Sequence, residues 1–414
     1  MKRFLFIIIF SIGFGNWMPG ITQEVTTVSF TIPSRGTGMK DLIFHQEIDG
    51  VKLYGEDSTM NWRLYQNIDG TWTPQVSQVH QGYTNLLYGR FEDKMVSGEP
   101  ISFQWRRESV NPEAGIVLQD DGQAIHFVYK DSLVMSYRYT GMPVPDGVSQ
   151  IYSRSGYVHP LKTPGGNLLS RIRPPDHYHH YGMWHPWTHT DYDGEEIDFW
   201  NLNKGQGTVR HSDIVGWKEG PLFSELTVVL DHIIHPGRGE RTVLKELLTY
   251  RVWAPTDNAD RLTIDVIYRM NPSTDQPLTI KEYRYQGFSL RGPAHWNDDN
   301  VELLTSEGLD KSNGNATRAN WIKVHGPGNV SGTSSVVFMT NPANYNFPEL
   351  IRIWPTGSNG GKENVFINFN PTQDRDWVLH PGQTYTLQYR VITADQDFTA
   401  DEINTLWSLY AGVR

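Results

Sequence analysis

The sequence predicts an antiparallel all-β fold: a β-sandwich or supersandwich with an N-terminal β module and one short C-terminal helix. Apolar and polar residues alternate with a period of two in many short runs, and Gly, Pro, Asn or Asp bounds each run. The chain contains 38 Gly and 24 Pro, which indicates many turns. Strands in close succession without intervening helices favour a sandwich over a parallel α/β sheet.

The alternating runs recur along the whole chain, as expected of strands that bury one face. Their apolar positions are Val28, Phe30 and Ile32; Ile125, Phe127 and Tyr129; Leu262, Ile264, Val266 and Tyr268; Val365, Ile367 and Phe369; and Tyr385, Leu387, Tyr389 and Val391.

Helical periodicity is clear only near the C-terminus. Thr399 and Glu402 have the spacing of a capping box, which marks the beginning of a helix. Apolar residues follow on one stripe, at Ile403, Leu406, Trp407 and Tyr410. Gly412 comes after the stripe, so we expect one short helix at this end of the chain.

Composition excludes several classes of protein. The chain has 36 Lys and Arg against 46 Asp and Glu, a net charge of -10, so we expect no nucleic-acid partner. It has no Cys, which excludes disulfides, thiolate metal sites, a cysteine nucleophile and a lipid attached through a thiol. His and carboxylate side chains remain as metal ligands. No Gly-x-Ser-x-Gly elbow and no dinucleotide or phosphate-loop motif is present.

The N-terminus resembles a secretory signal. Lys2 and Arg3 precede an apolar run from Phe4 to Phe10, and small and polar residues follow. The run is shorter than a membrane-spanning helix needs, so we interpret residues 1–23 as a signal peptide and expect a periplasmic or secreted protein that does not span the membrane. A retained anchor is the alternative. Residues 24–115 then form an N-terminal β module and residues 116–414 a second domain, unless one integrated supersandwich includes both.

Candidate site residues concentrate between Arg171 and Asn201. The Asp193-Gly194 pair predicts a tight hairpin turn. The resulting register puts Ile197 and Phe199 on the core face. It also places three pairs opposite each other, Trp187 and Trp200, Thr188 and Phe199, and His189 and Asp198. An aromatic and polar face of this kind suits a sugar. The alternative is that a second sheet covers the same face, with His189 and Asp198 as a satisfied pair.

Five of the 15 His lie between Arg173 and His189. His177 and His179 point the same way if this segment is extended, and with a carboxylate they could hold a divalent ion. No His-Glu-x-x-His helix accompanies them. The pattern therefore requires no cofactor, and a divalent metal is the alternative.

A second polar cluster runs from Lys281 to Arg291. If it is a strand, Glu282, Arg284 and Gln286 share one face, and Gly287 introduces a bulge. A carboxylate beside an arginine is as often a solvated pair as a catalytic one.

Several blocks resemble a bacterial family named methane oxygenase PmoA-like, a domain of unknown function. The blocks are 152–160, Arg173 to Trp187 with its His-His-Tyr-Gly-x-Trp core, Asp198-Phe199-Trp200-Asn201, and Asn320-Trp321. The resemblance covers about residues 120–395 and makes residues 116–414 a PmoA-like domain. It implies a secreted β-sandwich of bacteria that degrade glycans, with an architecture similar to the galactose mutarotase supersandwich. It implies no catalytic residues.

These observations predict a carbohydrate-active protein that uses acid–base chemistry of the epimerase, hydrolase or lyase type, with a sugar or glycan as its partner. His179 or His180 is the expected acid, Glu282 the base, and Arg291 or Arg173 stabilises negative charge. The expected substrate-binding residues are Arg173, Asp176, His177, Trp184, Trp187, His189, Asp198, Trp200 and Arg284. A non-catalytic glycan-binding protein and a metal-dependent oxidoreductase are the alternatives.

Overall fold

A computed structural model describes residues 25–26, 42–47, 60–68, 70–80, 86–91, 103–109, 113–255 and 261–412. The predicted signal peptide and the predicted strand around Phe30 lie outside these residues. The described part of the chain divides into two compact units. The first contains the described residues up to 115 together with 220–222, and the second contains 116–219 and the described residues from 223 onward.

The first unit contains two small antiparallel sheets. Its strands are β1 (Val25–Thr26), β2 (Leu42–Glu47), β3 (Met60–Ile68), β4 (Thr71–Gln75), β5 (Ser77–His80), β6 (Leu86–Phe91) and β7 (Phe103–Ser109). One sheet has the order β1-β7-β3-β4 and the other β2-β6-β5. Leu64, Phe103 and Trp105 are buried in this unit.

The second unit contains two eight-stranded sheets and one four-stranded sheet. Its strands are β8 (Val117–Asp120), β9 (Ala124–Tyr129), β10 (Ser132–Arg138), β11 (Tyr157–Leu161), β12 (Met183–Trp184), β13 (Thr190–Tyr192), β14 (Glu195–Ile197), β15 (Gly207–Lys218), β16 (Phe223–Ile234), β17 (Arg241–Trp253), β18 (Arg261–Pro272), β19 (Leu278–Ile280), β20 (Phe288–Arg291), β21 (Glu302–Thr305), β22 (Trp321–Pro327), β23 (Thr333–Thr340), β24 (Leu350–Ile353), β25 (Phe366–Asn370), β26 (Trp377–Leu379) and β27 (Tyr385–Ala394).

The strand order gives an antiparallel sandwich. One large sheet runs β24-β25-β20-β12-β11-β10-β9-β8 and the other β15-β16-β17-β18-β27-β23-β22-β21, while the small sheet is β14-β13-β19-β26. Ile125 and Met135 of the first large sheet belong to the same buried cluster as Leu226 and Val266 of the second. The inner faces of the two sheets therefore share one apolar core, and the all-β prediction is confirmed.

The C-terminal helix α1 (Ala400–Gly412) is the one α-helix among the described residues. The Thr399 N–H donates to Glu402 Oε2 at 2.8 Å, and the Glu402 N–H donates to Thr399 Oγ1 at 3.3 Å, so the predicted capping box is confirmed. Ile403 and Tyr410 are buried from the predicted stripe. In the described part of the chain, helices are too short or too polar to traverse a lipid bilayer.

The predicted hairpin is confirmed over its first pairs only. Strands β13 and β14 pair Tyr192 with Glu195 and Thr190 with Ile197, around the turn at Asp193 and Gly194. Beyond Thr190 the register changes, because the Phe199 N–H donates to the carbonyl of Trp187 at 3.0 Å. The expected pairs Thr188 with Phe199 and Trp187 with Trp200 are therefore wrong. Ile197 and Phe199 do lie in the core, as predicted.

The predicted strand from Lys281 to Arg291 is wrong in its first half. Strand β19 ends at Ile280 and β20 begins at Phe288, with irregular chain between them. The buried Gln286 accepts hydrogen bonds from the N–H groups of Thr188 and His189, each at 3.0 Å, whereas Glu282 and Arg284 are exposed. The three side chains thus do not share one face. Gln286 joins two loops instead.

Candidate functional site

The His-rich segment forms a closed loop rather than a strand. Ile172 and Tyr181 form an isolated antiparallel bridge, and the Arg173 N–H donates to the carbonyl of His180 at 2.7 Å. Within the loop, the His180 N–H donates to the carbonyl of His177 at 3.0 Å. We call residues 173–180 the His loop. Backbone hydrogen bonds within the loop hold its turns, and they therefore also hold the positions from which its side chains extend.

Gly182 explains why the motif following the His loop contains a glycine. Its φ is +61°, and a Cβ atom there would lie 2.3 Å from the carbonyl oxygen of Val158 on β11. The Gly182 N–H donates to the carbonyl of Arg171 at 2.8 Å, and its own carbonyl accepts from the Arg291 N–H at 2.8 Å. The glycine therefore lets the chain leave the His loop directly against the sheet.

Three imidazoles of the His loop converge. Potential ligand atoms of His177, His179 and His180 all lie within 4.8 Å of one another. The rings of His177 and His180 are stacked, with centroids 4.7 Å apart, while His179 meets His180 edge-on at 4.9 Å. The sequence predicted convergence of His177 and His179 from an extended segment. The turn achieves it and adds His180.

The imidazoles line an open cleft with two adjoining parts. Cavities of about 440 Å³ and about 410 Å³ share His177, His179, Asn201 and Tyr285 as lining residues. The first part is also lined by His180, Trp200, Arg284, Arg352, Trp354, Ser358, Asn359 and Phe366. The second is also lined by Tyr152, Asp176, Tyr178, Asn203, Lys204 and Tyr283. The cleft thus combines aromatic rings with charged and amide groups.

Asp176 and Arg291 form a chain of hydrogen bonds that holds His177 in the His loop. Asp176 Oδ2 lies 2.8 Å from His177 Nδ1 and accepts a hydrogen bond from Arg291 Nη2 at 2.8 Å. Arg291 is fully buried, and its guanidinium lies 4.4 Å from the centre of the Trp354 ring. Burial alone would raise the pKa of Asp176, but the hydrogen bond with His177 and the charge of Arg291 outweigh it and lower that pKa. Asp176 is therefore ionised at neutral pH, and Arg291 supports it without lining the cleft.

Two of the imidazoles are held neutral. Burial, reinforced by the neighbouring His177, lowers the pKa of His179 to about 4. Burial also holds the pKa of His180 well below its usual value, and His179, Arg291 and His177 add to this effect. A neutral imidazole accepts a proton or binds a metal ion and is a poor proton donor at pH 7. These values favour acceptor or ligand roles over the acid role predicted for His179 and His180.

The predicted tryptophan platform is only partly present. Trp187 is fully buried in the main core, with its ring centre 6.4 Å from that of Trp377, and it does not line the cleft. Trp200 lies in a different cluster, against Trp184 at 5.2 Å, and reaches the cleft, whereas Trp184 lies behind it. The structure therefore does not place Trp187 in the cleft, and its role in sugar stacking stays a prediction. The change of register after Thr190 turns it toward the core.

The predicted pair of His189 and Asp198 is not formed. His189 Nδ1 lies 3.2 Å from the carbonyl oxygen of Glu282, and its Nε2 lies 3.6 Å from Glu196 Oε2. The buried Asp198 accepts hydrogen bonds from the N–H groups of Trp200 and Asn201 and forms an ion pair with Lys204 at 2.9 Å. Asp198 thus positions two residues of the cleft wall, and His189 lies outside the lining.

Of the other predicted site residues, some line the cleft and some do not. Arg284 lines the cleft, as do Asp176 and His177. Glu282 is exposed and absent from the lining, and its N–H donates to Asp376 Oδ1 at 2.7 Å. Arg173 is buried and donates to the carbonyl of Met142 at 3.1 Å. The structure therefore does not bring Glu282 and Arg173 into the cleft.

Sequence reasoning missed one wall of the cleft. Arg352, Trp354, Asn359 and Phe366 come from β24, β25 and the segment between them. The Trp354 ring lies 4.9 Å from that of His177, and the Phe366 ring stacks on that of His180 at 5.2 Å. An Arg-Ile-Trp-Pro run that breaks a β pattern was the available signal, but nothing in the sequence places it beside the His loop.

The fold and the cleft define an all-β sandwich protein with a His-rich, aromatic and cationic cleft at one end of a large sheet. The chain belongs to a family of unknown function, DUF6807, whose model matches residues 124–408. That description names no activity, so the methane oxygenase label stays an interpretation of the sequence. No curated protein matches the chain.

Two solved structures are similar to the chain in fold. One is a GalM/aldose epimerase homologue from C. elegans, with 10% identity, a TM-score of 0.31, and coverage of 69% of this chain and 100% of that one. The other is the galactosidase domain of the α-galactosidase-sucrose kinase AgaSK, with 12% identity and a TM-score of 0.28, covering 70% of this chain and 42% of that one. At these scores neither likeness bears on the chemistry of the cleft.

Proposed function

We propose that this protein is a secreted carbohydrate-active protein that binds an acidic sugar in the cleft and acts on it through the imidazoles of the His loop. The observation that carries this proposal is the lining of the cleft, where aromatic rings lie beside imidazole, guanidinium and amide groups. Aromatic faces pack on the C–H faces of a sugar, while polar groups bind its hydroxyls.

The charge of the cleft favours an acidic sugar over a neutral one. Arg284 and Arg352 line the cleft, as does Lys204 in its ion pair with the buried Asp198, although the whole chain has a net charge of -10. Asp176 is the one carboxylate in the lining formed by the described residues, and it is paired with the buried Arg291. A cationic cleft in an acidic protein attracts anionic ligands. Uronic acids are sugars of this kind.

The cleft lining formed by the described residues has a single carboxylate, which favours some reaction types over others. Glycosidases commonly place two carboxylic groups on either side of the bond that is cleaved. The described lining offers Asp176 alone, and its hydrogen bonds to His177 and Arg291 already occupy it. This arrangement supports an epimerase or lyase, in which one base removes a proton from carbon, rather than a two-carboxylate hydrolase.

In such a reaction, a neutral imidazole takes the proton from the carbon beside the sugar carboxylate. The charge that develops on the carboxylate is stabilised by Arg284 or Arg352. In an epimerase, a second group delivers a proton to the same carbon from the other face. In a lyase, the C–O bond at the neighbouring carbon breaks as a C=C bond forms, and the leaving oxygen takes up a proton. His179 is the base we favour, because it lines both parts of the cleft and burial keeps its ring unprotonated at neutral pH, so that a ring nitrogen is free to accept the proton.

A glycan-binding protein without catalysis is the second candidate. It is favoured by the position of Glu282, which is exposed and outside the cleft lining and so provides no second proton-transfer group there. In that case the same aromatic rings bind the sugar, and no product forms.

Binding and turnover of a panel of neutral and acidic oligosaccharides test both candidates. We expect acidic sugars to bind, Trp354→Ala to weaken binding by about 10-fold or more, and Arg284→Ala to weaken acidic sugars selectively. The controls are Trp217→Ala and Arg269→Ala, since both residues are exposed on strands away from the cleft. Equal losses in the control variants, or binding of neutral sugars alone, would contradict the proposal. Binding without turnover favours the glycan-binding protein.

A further inference from the structure

The geometry points to a metal site: we propose that His177, His179 and His180 bind one divalent transition-metal ion, with Zn²⁺ as the reference ion. Their potential ligand atoms lie within 4.8 Å of one another. Two nitrogens bound to one tetrahedral zinc lie about 3.3 Å apart, as follows from a Zn–N distance of about 2.0–2.1 Å. Binding therefore requires the ligand atoms to approach one another by at most about 1.5 Å.

The ligand set fits a reactive rather than a structural site. Structural zinc is usually held by four protein ligands, whereas catalytic zinc often has three and leaves a position open. Here all three imidazoles line the cleft, so the open position faces the space where a ligand would bind. Imidazole suits Zn²⁺, Cu²⁺, Ni²⁺ and Fe²⁺.

Asp176 provides a second and independent indication. Metal-binding histidines usually have their other ring nitrogen hydrogen-bonded to a carboxylate or carbonyl, which orients the ring. His177 Nδ1 has such a bond, at 2.8 Å from Asp176 Oδ2, and this leaves Nε2 as the ligand atom. Asp176 is in turn bound by the buried Arg291 at 2.8 Å. The outer carboxylate is therefore itself held in place.

His180 provides a third indication. Its side chain is 3% exposed, and its Nδ1 atom is buried without a hydrogen-bond partner in the described part of the chain. A buried polar atom without a partner is costly, so such atoms call for an explanation. Phe366 stacks on one side of the ring and Trp184 lies near it, with centroids 5.2 Å and 5.3 Å away. Packing, rather than a hydrogen bond, holds the His180 ring at the cleft. The imidazole therefore remains available to a metal ion.

The ion would change how the proposed function works. Bound to three imidazoles, it would lower the pKa of a sugar hydroxyl or a water molecule at its open position, whose proton would pass to solvent, and the three imidazoles would no longer be free to accept a proton from carbon. Metal binding itself requires no sugar. It can therefore fail while the proposed function stands, and the reverse also holds.

The test is titration of the full-length, chelator-treated protein with Co²⁺, followed by absorption spectroscopy, and with Zn²⁺ in competition with a chromophoric chelator. We expect one ion per chain and the absorption bands of four- or five-coordinate Co²⁺. His177→Ala and His179→Ala should each weaken Zn²⁺ binding by about 100-fold or more, and Asp176→Asn by about 10- to 100-fold.

His189→Ala is the matched control, since His189 lies in the same part of the sequence but outside the cleft lining. It should bind Zn²⁺ as the unaltered protein does. Circular dichroism shows whether each His variant folds. Asp176→Asn keeps all three histidine ligands and the volume of the side chain, so it tests the site even if a His variant does not fold. The proposal is overturned if no 1:1 Co²⁺ complex forms, or if His189→Ala weakens binding as much as His179→Ala.

Discussion

The hydroxyl of Tyr389 donates a hydrogen bond of 2.7 Å to Glu349 Oε1 in the interior of the second unit, where both side chains are buried. Thr340 also donates to this carboxyl group, at Oε2. Burial raises the pKa of Glu349 to about 7, although these hydrogen bonds oppose the shift. The core therefore contains a carboxyl group that binds its proton more tightly in the folded chain than in the unfolded chain.

This group predicts a pH-dependent term in stability. Because the pKa is raised on folding, the contribution of Glu349 is fully present below about pH 4.5 and is lost as the pH rises through about 7. The difference in free energy of unfolding between the unaltered protein and Glu349→Gln should fall by about 3 kcal/mol from pH 4.5 to pH 8. Urea unfolding of both proteins across this range measures it. A difference that does not vary with pH would show that Glu349 titrates normally.

Gly182→Ala should destabilise the protein by more than its unfavourable φ alone explains. The new Cβ atom would meet a backbone oxygen of Val158 at 2.3 Å. Gly194→Ala is the matched control, since Gly194 has a φ of +82° and nothing within 4 Å of an added Cβ. We expect a loss of about 1 kcal/mol for the control and about 1–3 kcal/mol more for Gly182→Ala in urea unfolding. Equal losses would mean that the β11 contact does not constrain the motif.

Trp187→Ala should affect folding rather than ligand binding. Its indole is fully buried in the core, so removing it should lower the free energy of unfolding by about 3–5 kcal/mol. Trp217→Ala, at a residue that is 44% exposed, should change stability by less than about 0.5 kcal/mol. Thermal and urea unfolding compare the two. A stable Trp187→Ala protein that has lost sugar binding would restore the sequence-based role of this residue.

The capping box of α1 should stabilise the C-terminus measurably. Thr399→Ala removes the hydroxyl that accepts from the Glu402 N–H and should lower stability by about 1 kcal/mol. Thr405→Ala is the control, because its hydroxyl donates to the carbonyl of Asp401 within the helix and caps nothing. We expect this change to be neutral or slightly stabilising, since alanine is the better helix former. A larger loss of stability for Thr405→Ala than for Thr399→Ala in urea unfolding would contradict a stabilising role of the capping box.

Export remains a prediction from the sequence. Lys2, Arg3 and the apolar run after them predict cleavage between about residues 16 and 26. Intact-mass analysis of the protein from the periplasm or medium should find a chain that begins in this interval. A mass that includes Met1 would contradict the signal peptide.

The sequence by itself determined the features that depend on local pattern. Period-two alternation reports which strand residues face the core, as in β18 and β27, and a capping box is a contact between residues three positions apart, as in α1. The Asp193-Gly194 turn determined the pairing of Thr190 with Ile197 for the same reason. The convergence of His177 and His179 was also visible, because the two lie in one short segment, whereas His180 joins them only through the turn.

The tertiary structure alone decided which of the candidate residues meet. The hairpin register changes beyond Thr190, where Gln286 accepts hydrogen bonds from the N–H groups of Thr188 and His189. These residues are far apart in sequence, so local sequence patterns could not predict the contact. The same change directs Trp187 into the core. Trp354 contacts His177, which lies 177 positions earlier in the chain, because β24 and β25 lie at the end of the sheet that carries the His loop. Pairing between distant strands depends on the packing of the whole core, and local periodicity contains no information about it.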